Sequence, residues 1–578
     1  MIFRKRIRLL VGVALATLCS LTASGQGYLK AQGTQLVDRA GKKIILRGMG
    51  LGGWMLQEGY MFRLSNLGQQ YRIKAAISEL IGPEKTEAFY ARWLNNHTRK
   101  IDIDSMAAWG FNSIRLPMHY NLYTLPTEQE PVTGQHTWLE TGFALTDSLL
   151  NWCEANQVYL ILDLHATPGG QGNDLAISDR DPSKPSLWQS KANQQKTIAL
   201  WRKLAERYAN HPWIGGYDII NEPNWGFEDP KDVRGTAEKK NIPLRKLMVE
   251  ITQAIREVDK NHLIIIEGNG FGNNYEGILP TWDSNMALSF HKYGNFNNQE
   301  AIQKFLTLRD TYKVPIWLGE SGENSNTWFT DAISLMERHD IGWCWWQEKK
   351  MGINNPLEIK VTPGYEQLLA YWSGKGAKPS AAEAERILNE LLENLKLENN
   401  RFHPDVVDAL FRQVQSSQTR PFATHQLRKN TVIKAVDFDL GRQRSAYFDT
   451  DSASYHYTPG VNTVGNRGRQ YRNDGVDIER EGDRYYISHS EAGEWLQYTV
   501  QAEKAGTYQL SFRVASPGGT LSVDVNGKRV VKAMPLGNQG EAWSLTPTQS
   551  IRLNRGVNTL RVYVDKGGFK LESLHFNR

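Results

Sequence analysis

Two glutamates stand where a fold can put a carboxylate to work. Glu222 follows the run Tyr217-Asp218-Ile219-Ile220-Asn221, and Glu320 ends Val314-Pro315-Ile316-Trp317-Leu318-Gly319-Glu320. Each follows a short apolar, strand-like segment, the place where a barrel or open parallel sheet presents its chemistry. An unpaired charge beside a buried strand is costly, so two such glutamates in equivalent positions point to a working pair. Paired carboxylates cleave glycosidic bonds. One holds a proton for the departing oxygen while the other stays ionised opposite an oxocarbenium-like centre. A separation of about 5 Å lets the second carboxylate attack directly with retention, and a wider gap admits a water and gives inversion.

The elements that must position this pair form a regular series. From Lys42 to about Lys349 a short apolar run, a polar or glycine-containing loop and a longer amphipathic stretch alternate. The runs are Lys43–Gly48, Phe111–Pro117, Val158–His165, Ile214–Asn221, His262–Glu267, Met286–His291, Val314–Glu320 and Ile341–Trp346. Helical periodicity marks Asn193–Ala209, Leu244–Val258 and Gln299–Tyr312 between them. Apolar rather than alternating strands fit a parallel sheet covered on both faces, and the alternation predicts an α/β fold, a (β/α)8 barrel.

Polar groups mark the C-terminal ends of these strands: Arg115, His165, Asn221 with Glu222, Glu267, His291 with Tyr293, Glu320, and Trp346 with Lys349. Any one of them alone is as readily structural. Together they converge on one rim and predict a catalytic site. Arg115 is suited to keep a carboxylate charged, Asn221 to bond a sugar hydroxyl, Tyr293 to orient the nucleophile and Trp346 to floor the sugar ring. Glu267 is read as a subsite residue. Glu323 is the nearest rival to Glu320, but it lies past the strand in a loop; His119 is a further rim candidate.

Composition narrows the class. The 578 residues exceed one core and predict two or three domains. With a net charge of +6 and no basic block interleaved with aromatics, nucleic acid is not an expected partner. The 18 Trp, 23 Tyr and 19 Phe lean towards carbohydrate, although aromatics more often fill cores. Residues 1–25 read as a signal peptide: basic Arg4, Lys5, Arg6 and Arg8, an apolar stretch from Leu9 to Leu21, then small Ala23, Ser24 and Gly25. Export to the periplasm or beyond is expected. Lipoprotein processing at Cys19 is the rival, weakened by the bulk of Leu18. No later run is long enough to span a membrane. Cys153 and Cys344 are expected as buried thiols with a bridge left open, and nothing has zinc-ligand spacing.

Beyond the eighth run, residues 376–429 read as a helical extension and linker, with helices expected over Ala381–Leu397 and Pro404–Gln415 and a polar connector over Ser416–Lys429. From residue 430 to 578 short alternating strands separated by turn residues predict an antiparallel β-sandwich, a jelly roll.

The motifs Asn221-Glu222-Pro223, Arg115-Leu116-Pro117, Asp163-Leu164-His165, His291-Lys292-Tyr293 and Leu318-Gly319-Glu320 resemble the signature set of family 5 glycoside hydrolases over about residues 27–375. The resemblance implies that Glu222 is the acid/base and Glu320 the nucleophile of a retaining enzyme that needs no cofactor. Arg115, His165, Asn221, His291, Tyr293 and Trp346 would then shape the subsite at the cleaved bond. The stretches Asp163–Gln171 and Gly342–Lys349 are similar to the glucan β-1,3-glucosidase branch. Inserts over Met55–Asn95 and Asn173–Gln195, the second with Trp188, are expected as cleft walls.

Residues 430–578 resemble a family 6 carbohydrate-binding module through Gly475–Glu479, Glu491–Val500, Ala505–Tyr508 and Gly567–Leu574. That resemblance implies a structural calcium held by an opening acidic pair, where this chain has Lys434-Ala435-Val436-Asp437, and a sugar-facing asparagine where it has Lys570. Tyr471 and Trp543 are the candidate stacking platforms; a purely structural sandwich is the alternative. The expected activity is a secreted retaining hydrolase of β-glucan-type polysaccharide. Mannan, xylan or galactan as substrate, and a non-catalytic carbohydrate-binding protein, are the alternatives, with endo or exo action open.

Overall fold

The computed structural model describes residues 27–229 and 231–578, so the expected signal peptide lies outside the described residues. Eight parallel strands close a barrel in chain order: β1 (Arg47–Gly50), β2 (Ser113–His119), β3 (Tyr159–Ala166), β4 (Ile214–Asp218), β5 (Ile264–Glu267), β6 (Met286–Lys292), β7 (Ile316–Gly322) and β8 (Gly342–Trp346). Every residue of β2 to β8 is buried, the reason these segments read as apolar runs rather than alternating ones. β1 begins later than its apolar run, because Ile44 is drawn to the N-terminal hairpin of Lys30–Gln32 and Gln35–Val37, donating its N–H to Leu36. Leu29 and Leu36 of that hairpin segment pack with Tyr159, Ile161, Leu263, Ile265 and Trp317, below the end of the barrel that carries the chemistry.

Helices over Lys191–Tyr208, Ile242–Val258 and Gln299–Tyr312 lie where the periodicity places them. The Met55–Asn95 insert contains two helices, Gln70–Ile81 and Pro83–His97, and Ala381–Asn394 packs on both. Leu388, Leu391 and Leu392 join Ile73, Phe89 and Trp93 in one apolar cluster. The helical extension therefore buries an apolar stripe, and its charges occupy the outer face.

Lys349 departs from its expected place on the rim. It is fully buried, with Nζ 2.6 Å from both Asp102 Oδ1 and the His97 carbonyl, which ties the barrel to the inserted helices. Asp102 Oδ2 accepts the Arg99 N–H at the start of helix Lys100–Trp109.

The C-terminal domain is a sandwich of two sheets, one built on Trp495–Ala502, Thr520–Val525 and Gly556–Lys566, the other on Gly506–Ala515 and Lys570–Asn577. Its first strand, His425–Leu427, lies inside the stretch expected as linker and pairs in parallel with Val500–Ala502. Trp495, half-buried, carries the Arg561 guanidinium over its ring, 3.8 Å from the centroid. Cys153 and Cys344 are buried and free. Among the described residues no helix is long and apolar enough to cross a membrane.

The side chains at the opening strand do not fit a calcium of the kind the module resemblance implies. Lys434 pairs in register with Ser573, bringing a cation where a carboxylate would be needed, and Asp437 Oδ1 accepts the Tyr471 hydroxyl at 2.6 Å.

Removing one partner of a buried ion pair leaves the other charge uncompensated. Lys349→Ala is expected to destabilise the barrel by about 3–5 kcal/mol, read as a lowered midpoint in thermal or denaturant unfolding. A midpoint within error of the parent would show that the pair carries no such weight.

Candidate active site

One guanidinium organises the chemistry. Arg115, on β2, is fully buried at the carboxyl end of the barrel. Its Nε and Nη2 reach Asp218 Oδ2 at 3.0 and 2.8 Å, and Nη2 also meets Asn221 Oδ1 at 2.8 Å and Glu267 Oε1 at 3.1 Å. Nη1 donates to Glu320 Oε1 and lies 3.2 Å from Asp163 Oδ2. Four carboxylates from β3, β4, β5 and β7 thus surround one fork, which the planar five-donor guanidinium suits and an ammonium would not.

The two glutamates sit close together. Glu222, Glu320 and His291 each offer a ligand-type atom within 4.8 Å of the others. Glu222 takes a left-handed backbone, φ 39°, just past the end of β4. Glu267 Oε2 holds its N–H at 2.7 Å, and Asn224 donates to its carbonyl at 2.9 Å. Strain of this kind persists where neighbours over-determine the conformation, as at working sites.

Environment separates the two acids. Burial, with help from Glu320 and Glu267, raises the Glu222 carboxyl above the usual range, although His291 pulls it down. Glu320 is lowered: burial works against it, but His291, Arg115 and His165 outweigh burial. His291 itself is raised well above an ordinary histidine, because Glu267, Glu320 and Glu222 overcome its burial. Its Nδ1 is 2.6 Å from Glu222 Oε1 and 3.6 Å from Glu320 Oε2; Nε2 is 3.2 Å from Glu267 Oε1 but off hydrogen-bond direction. His291 thus sits between the two acids, bonded to one and close to the other. Tyr293 donates its hydroxyl to Glu320 Oε2 at 3.1 Å, as expected of an orienting residue.

A cavity of about 640 Å³ opens above the pair. Glu222, Glu320, His165, His291, Tyr293 and Trp346 line it. Trp346 stacks on His165, with centroids 5.3 Å apart, and donates Nε1–H to the Tyr60 hydroxyl at 2.7 Å. Arg115, Asn221 and Glu267 are fully buried beneath the cavity and outside its lining. They hold the acids rather than face the opening. Asn221 meets His165 Nε2 at 3.2 Å, and the His165 Nδ1 is 2.7 Å from Asp163.

The rivals are accounted for. Glu323 borders the cavity but is paired with Lys350 at 2.6 Å. His119 lies 3.1 Å from Asp179 and lines a neighbouring cavity. Sequence reasoning passed over Asp218 and Glu58. Asp218 ends β4, and the run that ends in Glu222 was the available signal. Glu58, from the Met55–Asn95 insert, lines the cavity, and burial followed by Glu320 and Glu222 holds its carboxyl well above the usual range. No spacing marks a residue that arrives from a loop.

In the sandwich Tyr471 is half-buried, tilted against Tyr485 at 4.9 Å, with its hydroxyl committed to Asp437. Trp543 is half-buried, edge-on to Tyr486 at 5.3 Å and overlain by Arg484. Lys570 is paired with Glu541.

Residues 75–352 match Cellulase (glycosyl hydrolase family 5), and residues 469–578 match Carbohydrate binding module (family 6). A relative named beta-xylosidase from Phanerodontia chrysosporium is 26% identical over 491 residues, covering 74% of this chain and 98% of the relative. Endoglucanase C of Acetivibrio thermocellus is 25% identical over 312 residues, 43% of this chain and 83% of its own. A probable glucan 1,3-beta-glucosidase A of Aspergillus clavatus is 27% identical over 215 residues, 37% of this chain and 49% of its own. Among solved structures, an endogalactoceramidase covers 92% of this chain and 99% of its own at 16% identity, with a TM-score of 0.44.

The split acids predict a bell-shaped kcat/KM profile. Protonation of Glu320 sets the acid limb below the ordinary glutamate value, and loss of the Glu222 proton sets the alkaline limb above it. Glu222→Gln should erase the alkaline limb. Arg115→Lys keeps the charge but loses the fork, so the acid limb should move to higher pH and kcat/KM fall about 10- to 100-fold. An unmoved acid limb in that variant would separate Arg115 from the ionisation of Glu320.

Proposed function

We propose that this chain, a glycoside hydrolase whose barrel is a family 5 domain and whose C-terminal sandwich is a family 6 carbohydrate-binding module, is a secreted retaining enzyme that cleaves β-glucan-type polysaccharide by double displacement. The observation that carries the reading is the pair itself: oxygens of Glu222 and Glu320 within 4.8 Å, with opposite ionisation preferences. A separation of that order supports direct attack by Glu320.

In the first step a Glu320 oxygen bonds to the anomeric carbon. The bond from that carbon to the glycosidic oxygen breaks, and the Glu222 proton passes to the departing oxygen. In the second, Glu222, now a carboxylate, takes a proton from water. The water oxygen bonds to the anomeric carbon and Glu320 leaves as a carboxylate. Arg115 and Tyr293 stabilise that carboxylate as attacker and as leaving group. His291, bonded to Glu222, moderates the acid's proton affinity across both steps.

Loops after several strands frame the cavity. Glu58 and Tyr60, Asp174 and Ile177, Arg234 and Phe271 stand around it, carried by the loops after β1, β3, β4 and β5. The β-glucan assignment is supported by the endoglucanase and glucan 1,3-beta-glucosidase among the relatives. A β-xyloside is the second reading, favoured by the beta-xylosidase that aligns over nearly its whole length. The intact, oppositely ionised pair opposes a non-catalytic role. The N-terminal signal-like segment supports secretion.

Hydrolysis of β-1,3-, β-1,4- and β-1,6-glucans, mannan and xylan, with products resolved by size, tests substrate and end preference together. Proton NMR in the first minutes should show the β-anomer; an initial α-anomer would refute retention. Glu320→Gln and Glu222→Gln should each lose activity, the latter by roughly 10²- to 10⁴-fold on sugars with poor leaving groups. Full activity in either would remove the assignment.

A further inference from the structure

The sandwich reaches the catalytic cavity. Between its strands Tyr447–Phe448 and Ile478–Glu481 runs a long irregular segment, and His456 and Tyr457 of that segment line the cavity with Glu222 and Glu320. The Tyr457 N–H donates to the Gly294 carbonyl at 2.8 Å, one residue from the Tyr293 that bonds the nucleophile. Gly294 has φ 50°, and a Cβ there would stand 2.6 Å from the His456 ring, so the approach of the two chains requires glycine. Tyr455 packs on Phe296 with centroids 4.8 Å apart.

The segment is anchored as firmly as a core element. Asn324 donates to the Ser454 carbonyl at 2.6 Å and accepts the Ser454 N–H at 3.0 Å. Asn326 donates its N–H to the Asn473 carbonyl at 2.7 Å, and buried Asp405 Oδ2 accepts from both Asn326 and Asn473 at 2.8 Å. These asparagines come only a few residues after β7, so the loop that leaves the nucleophile is the loop on which the sandwich docks. Buried, satisfied polar contacts of this density fix an orientation.

Tyr457 is nevertheless 64% exposed, the most open aromatic ring of the cavity wall. Its ring edge-tilts on His456 with centroids 4.1 Å apart, which braces it without covering it. The ring shares the cavity wall with Glu222 and Glu320, next to the backbone of Gly294. A rigidly backed, exposed aromatic on the wall of a cavity that holds both acids is a stacking surface for a sugar ring.

We propose that Tyr457, delivered by the C-terminal module, is a substrate-binding residue of the hydrolase, stacking on a sugar of a β-linked oligosaccharide next to the one that reacts. The module then acts in cleavage itself and not only in targeting. This rests on the hydrolase reading above, and the test keeps the two apart by using two substrates of the full-length enzyme. One is an oligosaccharide of the class it cleaves; the other is the β-glycosyl fluoride of the reacting sugar alone, which has no second ring to stack. Turnover by the parent of either substrate tests the hydrolase reading. For Tyr457→Ala the ratio of kcat/KM on oligosaccharide to that on fluoride should fall about three- to tenfold, mostly through KM, and Tyr457→Phe should restore it. An unchanged ratio, whether both values hold or both fall together, overturns the proposal, the second outcome marking a merely structural role.

Discussion

Everything at the reactive end of the barrel depends on the burial of Arg115 among Asp163, Asp218, Glu267 and Glu320. Taking so many charges out of water is expensive, and the attraction repays it only if geometry is close and remaining donors are satisfied. The cluster meets that condition by sharing. Asp163 also serves His165, Glu267 also serves the Glu222 N–H, and Asn221 bridges Arg115 and His165. Its net effect is polarised: Glu320, joined directly to the guanidinium, ionises easily, whereas Asp218 is held well above the usual carboxylate range by burial and Glu267.

The same cluster explains why Glu222 and Glu320 differ although both are buried glutamates past apolar strands. Glu320 faces three cationic or protonatable groups, His291, Arg115 and His165. Glu222 has His291 alone, against the charges of Glu320 and Glu267. Chemistry that needs one proton donor and one anion receives them from position around a common base, with no difference in residue type.

Around this centre the protein is built by addition of walls. The hairpin of residues 30–37 closes the far end, the Met55–Asn95 helices are braced by Ala381–Asn394, and the sandwich docks on the residues just after β7. Three additions bring side chains to the cavity: Glu58 and Tyr60 from the first insert, Asp174 and Ile177 from the second, His456 and Tyr457 from the sandwich. A barrel can change what its cavity admits through such additions, since the additions line the cavity and the strands hold the acids.

Much of this was legible in the residues alone. Each of the eight apolar runs overlaps a barrel strand, the first only at Arg47 and Gly48, and Gln299–Tyr312 is the helix its periodicity marks. Glu222, Glu320, His165, His291, Tyr293 and Trp346 meet at one cavity because parallel strands in a closed barrel must end on one rim, so the apolar runs and the residues at their carboxyl ends determine the site. Lys349 misled for a local reason: a residue just past a strand faces either way, and only the pairing with Asp102 decides it. The division of the rim set into cavity-facing residues and the buried Arg115, Asn221 and Glu267 was likewise beyond the sequence, as side-chain direction there depends on partners in other strands. Glu58 and Tyr457 reach the cavity from an insert and from another domain. Such contacts join residues far apart in the chain, without period or fixed spacing, and are decided only when the packed surfaces meet. Sequence alone determined the barrel and the two acids that end its strands; tertiary structure decided their ionisation and the walls that enclose them, because both depend on neighbours that no local pattern specifies.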